Sequence, residues 1–485
     1  MWRWIEEHAA ARPQATAIGF EGEAIAYAGL QRRILACTAM LAARGIGRGD
    51  RVAFLGANHP AQLVLLFACA RLGAIQVPLN WRLAAPELRF ILEDSGAGLL
   101  LATADMAEAA HRALPPGCAL LAAEAAEADA PAPAAMGGDD DPVLLVYTSG
   151  TTGRPKGALL DQRAVRTNAL NAEHAFGLTA ADRVLTVLPM FHVGGLNIQT
   201  TPALMAGAEV VLLPRFDPAA FLAALAAHRP TLTLLVPAVM QALVAHPGWA
   251  AADLSSLRAA GAGSSEVPLP LIEAFHARGV PVQQVYGATE TCPIAIVQTR
   301  AEALAAPGSL GRPALHAAAR VVDAAGRALP DGMPGEIQLR GANLARGYWQ
   351  APEATEAAFR GGWFASGDVG VRDAEGRYWF TDRLKHVIIS GGENIYPAEL
   401  ERVLRDAPGV AEGAVCGRPD PRWGEVPVLV VVPGEGFDRD ALLRHFAGQL
   451  ARFKHPRDVV VVPALPRTVL GKVQVEALRA LARGG

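Results

Sequence analysis

Between two short apolar runs, Val143–Tyr147 and Ala158–Leu160, the chain reads Tyr147-Thr-Ser-Gly-Thr-Thr-Gly-Arg-Pro-Lys-Gly157. Thr148, Ser149, Thr151 and Thr152 bring hydroxyl donors, Gly150 and Gly153 let backbone N–H groups turn inward, and Lys156 adds a compact positive charge. Such a set of donors on one turn suits the oxygens of a triphosphate. The order is not the Walker pattern, because no Gly-Lys-Ser/Thr follows at the required spacing. Lysine is otherwise scarce, with Lys156, Lys385, Lys454 and Lys472 the only four among 44 basic residues. A point-like ammonium behaves differently from a planar guanidinium when its partner is a phosphate or a carboxylate under attack. These four positions are therefore candidates for chemistry.

The hydroxyl-rich turn resembles the phosphate loop of the adenylate-forming superfamily, which includes acyl-CoA synthetases, peptide-synthetase adenylation domains and beetle luciferases. The resemblance continues in order along nearly the whole chain. Leu188-Pro-Met-Phe-His-Val-Gly-Gly195 is similar to that family's aromatic–His motif, and Gln284-Val-Tyr-Gly-Ala-Thr-Glu-Thr291 to its adenine and metal motif. Gly362-Trp-Phe-Ala-Ser-Gly-Asp368 resembles its ribose motif. Asp382-Arg-Leu-Lys-His-Val-Ile-Ile-Ser-Gly-Gly-Glu-Asn-Ile-Tyr-Pro397 resembles its hinge, and Pro466-Arg-Thr-Val-Leu-Gly-Lys472 its catalytic-lysine loop. Among the members, AMP-forming acyl-CoA synthetases are the most similar.

The resemblance implies a role for each position. Tyr286 offers a flat face on which adenine stacks, with Gly287 allowing close approach. Gly263, Ser264 and Ser265 fall along the adenine edge, where two serines replace the commoner Gly-Ala. Glu290 is the expected Mg²⁺ ligand, and one acid suffices because Mg²⁺ usually keeps waters and phosphates as its other ligands. Thr289 bonds the adenylate phosphate. Asp368 accepts from both ribose hydroxyls and Arg383 donates to the same sugar. Lys385 is the hinge; His386, where the family often has Asp, receives no role. Lys472 bridges carboxylate and α-phosphate in the first half-reaction, a charge stabilisation typically worth several kcal/mol. Val473-Gln474-Val475 follows it where the family often carries Arg. Gly391 and Gly392 leave room for the pantetheine arm, and His192 gates acyl pocket and thiol tunnel. Phe191, Val193, Gly194, Gly195, Ala288, Cys292 and Pro293 are the candidate pocket lining, all small or apolar. Lys454 matches a family motif leading into a strand and is read as structural.

These groups need a scaffold to hold them. At 485 residues the chain exceeds one core. Short Val/Leu runs (Val143–Tyr147, Thr231–Leu235) alternate with Ala-rich helical segments such as Pro218–Ala227, capped by Asp217. That alternation predicts an α/β fold with largely parallel sheets. Ala122–Asp141 reads as a surface excursion between subdomains, and Gly308–Leu344 as a small β-rich unit with strands Ala319–Asp323 and Glu336–Arg340. The expected organisation is a large ATP- and acyl-binding domain, residues 1–382, and a small mobile α+β domain, residues 383–485. The latter carries strands Gly413–Cys416 and Val426–Val432 and helices Ala398–Arg405 and Arg439–Leu450.

Hydrophobic residues make up 51% and charged residues 19%, with a net charge of −3. That balance gives no electrostatic case for nucleic acid or an anionic membrane. The apolar stretch Leu63–Ala70 ends at Arg71, short of the roughly 20 residues a transmembrane helix requires. The acidic start lacks an apolar core and is not a secretory signal. Five scattered cysteines suggest free thiols in a reducing cytoplasm. The expected protein is a monomeric or homodimeric ligase taking a carboxylic acid, ATP with Mg²⁺, and coenzyme A, the acid being medium-chain aliphatic or aromatic. The competing readings are an adenylation enzyme that loads a carrier protein in trans, a luciferase-like oxygenase, and a non-catalytic nucleotide sensor.

Overall fold

The computed structural model describes residues 1–485 apart from 126–130, 149–154, 265–266, 384–387, 396, 468–472 and 485. By internal contacts the chain divides into a larger unit (Met1–Trp81, Leu92–Val146, Gly157–Asp382) and a smaller one (Arg82–Ile91, Tyr147–Lys156, Arg383–Gly485).

Among the described residues the longest sheet has nine strands, in the spatial order Arg312–Pro313, Ile296–Val297, Val282–Tyr286, Ala259–Gly263, Leu232–Leu235, Arg183–Thr186, Glu209–Leu212, Thr16–Phe20 and Glu23–Ala26. Its six inner strands from Val282–Tyr286 to Thr16–Phe20 run parallel. Most of their residues are buried on both faces, so apolar stretches such as Val210–Leu212 replace alternation, with buried polar residues only at places such as Gln283, Gln284 and Thr233. Six further strands form a second sheet, ordered Ala119–Ala122, Leu99–Ala102, Arg51–Leu55, Ile75–Leu79, Pro142–Thr148 and Lys156–Asp161.

The helix Pro60–Leu72 packs against strand Ile75–Leu79 and helix Tyr27–Ala43 and is buried at every residue except Ala61. This is the apolar stretch noted in the sequence, and its all-round hydrophobicity reflects its place in the core. No helix among the described residues is long and apolar enough to cross a membrane. The expected helix after Asp217 forms at Pro218–His228, with Asp217 Oδ1 accepting from Ala220 N–H at 2.8 Å. Asp161 caps Gln162–Phe176 in the same way.

Residues 131–140 stay on the surface, as expected, and are tied down there. Met136 and Gly137 donate to the Arg71 carbonyl, and Trp2 Nε1 donates to the Gly137 carbonyl at 3.0 Å. A methyl group on Gly137 would lie 1.8 Å from the Ala70 carbonyl oxygen. The chain is pressed onto the buried helix there, and a composition of Ala, Pro and Gly gives little sign of it. The β-rich unit is larger than its sequence signal: Ala317–Val322, Gly335–Gly341, Trp363–Arg372, Phe359–Arg360 and Tyr378–Arg383 form one sheet around a separate apolar cluster.

In the smaller unit, Val410–Asp420 pairs antiparallel with Gly424–Pro433, which is flanked on its other edge by Asp458–Val461 and Ile388–Ser390. Helices Pro397–Arg405 and Arg439–His445 pack on this sheet, giving an α+β unit with its own core.

Candidate active site

Strand Val282–Tyr286 delivers Tyr286, half-buried, to the C-terminal edge of the parallel sheet, where open α/β sheets place their ligands. The Tyr286 hydroxyl donates to Asp368 Oδ2 at 2.9 Å. Asp368 is itself fixed: its N–H donates to Ser366 Oγ at 3.1 Å, and Ser366 Oγ donates to the Ile337 carbonyl at 2.6 Å. Residues 82 positions apart are thus brought together as an aromatic face beside a carboxylate, an arrangement that suits a base and its sugar.

Immediately after Tyr286 the backbone folds on itself. A methyl group at Gly287 would fall 1.6 Å from the Pro293 carbonyl oxygen. Gly287 is itself exposed, so its backbone stays open to solvent on the side away from Pro293. Thr291 Oγ1 accepts from Ala288 N–H at 2.9 Å and donates to the Pro293 carbonyl at 2.7 Å, while Asn343 Nδ2 donates to the Thr291 and Ile294 carbonyls. Thr289 and Glu290 lie on this locked turn. Glu290 is 8% exposed. Its Oε1 accepts from the Tyr348 hydroxyl at 2.6 Å, and its carbonyl accepts from Ala345 N–H at 2.8 Å.

Tyr348 stands on a segment laced to the strand that follows the glycine-rich turn. Trp349 N–H donates to the Gly157 carbonyl at 2.7 Å, Leu159 N–H to the Gly347 carbonyl, and Arg346 N–H to the Leu159 carbonyl. Neither Asn343 nor Tyr348 was marked by the sequence, where each is an ordinary polar residue between turn signals.

On the acyl side, Asn58 and Gln62 hold the Leu188–Gly195 loop. Asn58 Oδ1 accepts from Met190 N–H at 2.8 Å, its Nδ2 donates to the Leu188 carbonyl, and Gln62 Nε2 donates to the Met190 carbonyl. Phe191 is buried against the exposed His192 ring, with centroids 4.4 Å apart. Val193 and Gly195 are buried, and a methyl at Gly195 would meet the Pro189 carbonyl at 2.3 Å. Gly194 opens towards Ser264 Oγ, 3.8 Å from where its Cβ would be. Ser264 has φ +71°, a conformation costing a non-glycine residue about 1–2 kcal/mol. Ala288 is half-buried. Cys292 is fully buried and its sulfur accepts from Asn197 Nδ2 at 3.4 Å. Burial pushes its thiol far above the ordinary range, so it stays protonated.

In the smaller unit, Thr148 Oγ1 donates to the Lys156 carbonyl at 3.4 Å. Gly391 and Gly392 have φ +59° and +83° and join strands Ile388–Ser390 and Glu393–Ile395, a tight hairpin turn that requires glycine-like backbone at both places. Gly391 N–H donates to the Trp423 carbonyl at 2.8 Å. Lys454 is buried between Glu399 (2.7 Å) and Glu87 (2.9 Å), partners that no local sequence signal indicated. Ser149, Gly150, Thr151, Thr152, Gly153, Ser265, Lys385 and Lys472, with the Arg383 side chain, lie outside the described residues.

The model of the AMP-binding enzyme family matches residues 5–349, and that of its C-terminal domain matches residues 399–472. Indoleacetate–CoA ligase of Aromatoleum aromaticum is 47% identical, covering 99% of this chain and 97% of that protein. Feruloyl-CoA synthase of an Amycolatopsis species is 45% identical over 97% of this chain and 96% of its own length. A double mutant of o-succinylbenzoate CoA synthetase from Bacillus subtilis, solved with a product analogue, superposes with a TM-score of 0.91 at 31% identity, covering 99% and 98% of the two chains.

Proposed function

This chain belongs to the AMP-binding enzyme family, and on that premise we propose that it joins an aromatic carboxylic acid, arylacetic or arylpropenoic, to coenzyme A. It is an AMP-forming acid–CoA ligase, with ATP and CoA as cosubstrates. A carboxylate oxygen attacks the α-phosphorus of ATP and pyrophosphate leaves. The CoA thiolate then attacks the carbonyl carbon of the acyl-adenylate and AMP leaves.

Within this reading, Tyr286 stacks on adenine and Asp368 accepts from the ribose hydroxyls, roles supported by their 2.9 Å contact. Gly263, Ser264 and Ser265 run along the adenine edge. The hydroxyls and amides from Thr148 to Gly153, with Lys156, hold the phosphates, and Thr289 bonds the phosphate of the adenylate. Lys472 bridges the two reacting groups, Arg383 reaches the sugar, Lys385 is the hinge, and Gly391-Gly392 give passage to pantetheine. His192, exposed beside Phe191, gates the thiol's approach.

Glu290, a single carboxylate held by the Tyr348 hydroxyl, fits a Mg²⁺ site, which usually takes only one or two protein carboxylates. Mg²⁺ so placed would neutralise phosphate charge. Tyr348→Phe should then raise the Mg²⁺ concentration needed for half-maximal adenylation by about 10-fold or more, because removing the partner that orients a metal ligand usually costs 10–100-fold. An unchanged Mg²⁺ titration would remove Glu290 from the metal.

The similarity to ligases named for indoleacetate and ferulate, over almost the full length, carries the choice of acid. Small and apolar residues at Val193, Gly194, Gly195 and Ala288 support it. The test is AMP release with indole-3-acetate, ferulate, phenylacetate and decanoate in the presence of CoA. The aromatic acids should exceed decanoate at least ten-fold in kcat/KM; a preference for decanoate would overturn the assignment.

A further inference from the structure

His59 stands at the start of the buried helix Pro60–Leu72. Pro60 has no N–H to offer, so the first free donors of that helix belong to Ala61 and Gln62. The His59 carbonyl accepts from Gln62 N–H at 3.0 Å, and its ring Nδ1 accepts from Ala61 N–H at 3.2 Å. A ring nitrogen accepts only while it carries no proton. The cap therefore exists in the neutral form, with the hydrogen on Nε2.

The surroundings favour that form. The ring stands edge-on to Phe20, with centroids 5.1 Å apart. Burial holds its pKa below the ordinary histidine value; the carboxylates of Glu124, Glu21 and Asp105 pull the other way, and Arg33 adds to the burial effect. A charged ring would also face the positive end of the helix.

What the cap fixes is the acyl side of the site, because the residues flanking His59 grip one loop. Asn58 bonds the Met190 N–H and the Leu188 carbonyl, and Gln62 donates to the Met190 carbonyl. Asn58 is tied on its far side as well: its N–H donates to the Pro214 carbonyl and its Nδ2 to the Leu213 carbonyl, each at 3.1 Å. Both side chains are buried, so neither can turn to solvent instead. Phe191 and His192 follow Met190 directly. A shift in the first turn of the helix moves both anchors, and the loop with them.

We infer that His59 is a positioning residue for the acid: by capping Pro60–Leu72 it sets the Asn58 and Gln62 clamp, and through it the Leu188–Gly195 wall of the acyl pocket. This deepens the reading of that loop as pocket lining, made above, and rests on it.

The test is pyrophosphate exchange driven by indole-3-acetate on the full-length enzyme, followed from pH 8 to pH 5. In the wild type the KM for the acid should rise by about three- to ten-fold as pH falls below about 6.5, the size expected for a lost helix cap, with kcat nearly constant. His59→Asn and His59→Ser supply caps that do not titrate. Both should keep the high-pH KM within about two-fold and lose the rise at low pH, with Tm unchanged. His59→Ala should show the raised KM at every pH. A rise shared equally by the Asn and Ser variants, or an alanine variant with the wild-type KM, overturns the role. A flat wild-type profile overturns it whatever the variants do. Gly194→Val separates the two readings, because it narrows the pocket without touching the cap. If it raises the KM for the acid while the His59 results fail, the pocket reading stands alone; if it leaves that KM unchanged, the pocket reading falls and this role with it.

Discussion

Lys472→Ala should lower carboxylate-dependent pyrophosphate exchange by about 10²–10³-fold, the usual cost of removing one preorganised group from a charge-developing centre. A chemically supplied acyl-adenylate should still react with CoA within a few-fold of the wild-type rate. The asymmetry follows from the chemistry. In-line attack on the α-phosphorus gathers negative charge between two anions, which an ammonium can bridge. In the second step the leaving group is already an activated phosphate. Lys472→Arg should recover only part of the first step, because a planar fork cannot take the place of a point charge between two oxygens. Equal loss in both half-reactions would withdraw the assignment.

The second large effect concerns stability. Lys454→Met should weaken the smaller unit by about 3–5 kcal/mol, because removing one partner of a buried ion pair strands the rest. Here two carboxylates, Glu399 and Glu87, would lose their shared cation. Burial raises the Glu87 carboxyl above its usual range, with the pull of Lys454 opposing it. Burial works against the charge on Lys454 too, but Glu399 and Glu87 outweigh it and its ammonium is held above the ordinary value.

The signs then follow. A cation raised in the folded state gives stability that is complete below its unfolded pKa, near 10.4, and lost as pH climbs through the folded value. A carboxyl raised in the folded state costs stability as pH rises from its unfolded value towards its folded one. The variant, with nothing opposing the burial of Glu87, should therefore recover at pH 5 relative to pH 8. Hydrogen exchange of the helix Pro397–Arg405 in the full chain would report both the loss and the recovery. A deficit under 1 kcal/mol, or one indifferent to pH, would show that the cluster is energetically neutral. Changing Glu87 and Glu399 to Gln alongside Lys454→Met should restore much of the loss.

The α/β architecture was legible because buried parallel strands carry continuous Val/Leu runs, and because caps such as Asp217 act within three residues of themselves. The candidate motifs stand out for a similar reason: Tyr147–Gly157 and Gln284–Thr291 each gather their chemistry-bearing residue types in adjacent positions. What the sequence withheld is long-range. Tyr348 reaches Glu290 across 58 positions and Lys454 reaches Glu87 across 367, separations for which no periodicity exists. The Pro293 carbonyl that packs against Gly287 is another such neighbour, brought there only once the turn has closed.

One pairing in the nine-stranded sheet bears on how the chain is made. Thr16–Phe20 lies parallel to Glu209–Leu212, its neighbour in the sheet. A ribosome adding about 5–20 residues per second needs roughly 10–40 s to travel from one to the other. All six strands of the Arg51–Asp161 sheet have left the exit tunnel's supply before that partner exists. Throughout that interval the amino end carries a strand with one edge unpaired, its other edge being covered by Glu23–Ala26, and an open edge is the kind of surface on which nascent chains stick to one another. Fast synthesis, or a chaperone stationed at the tunnel mouth, should matter more to the yield of this enzyme than its final stability does.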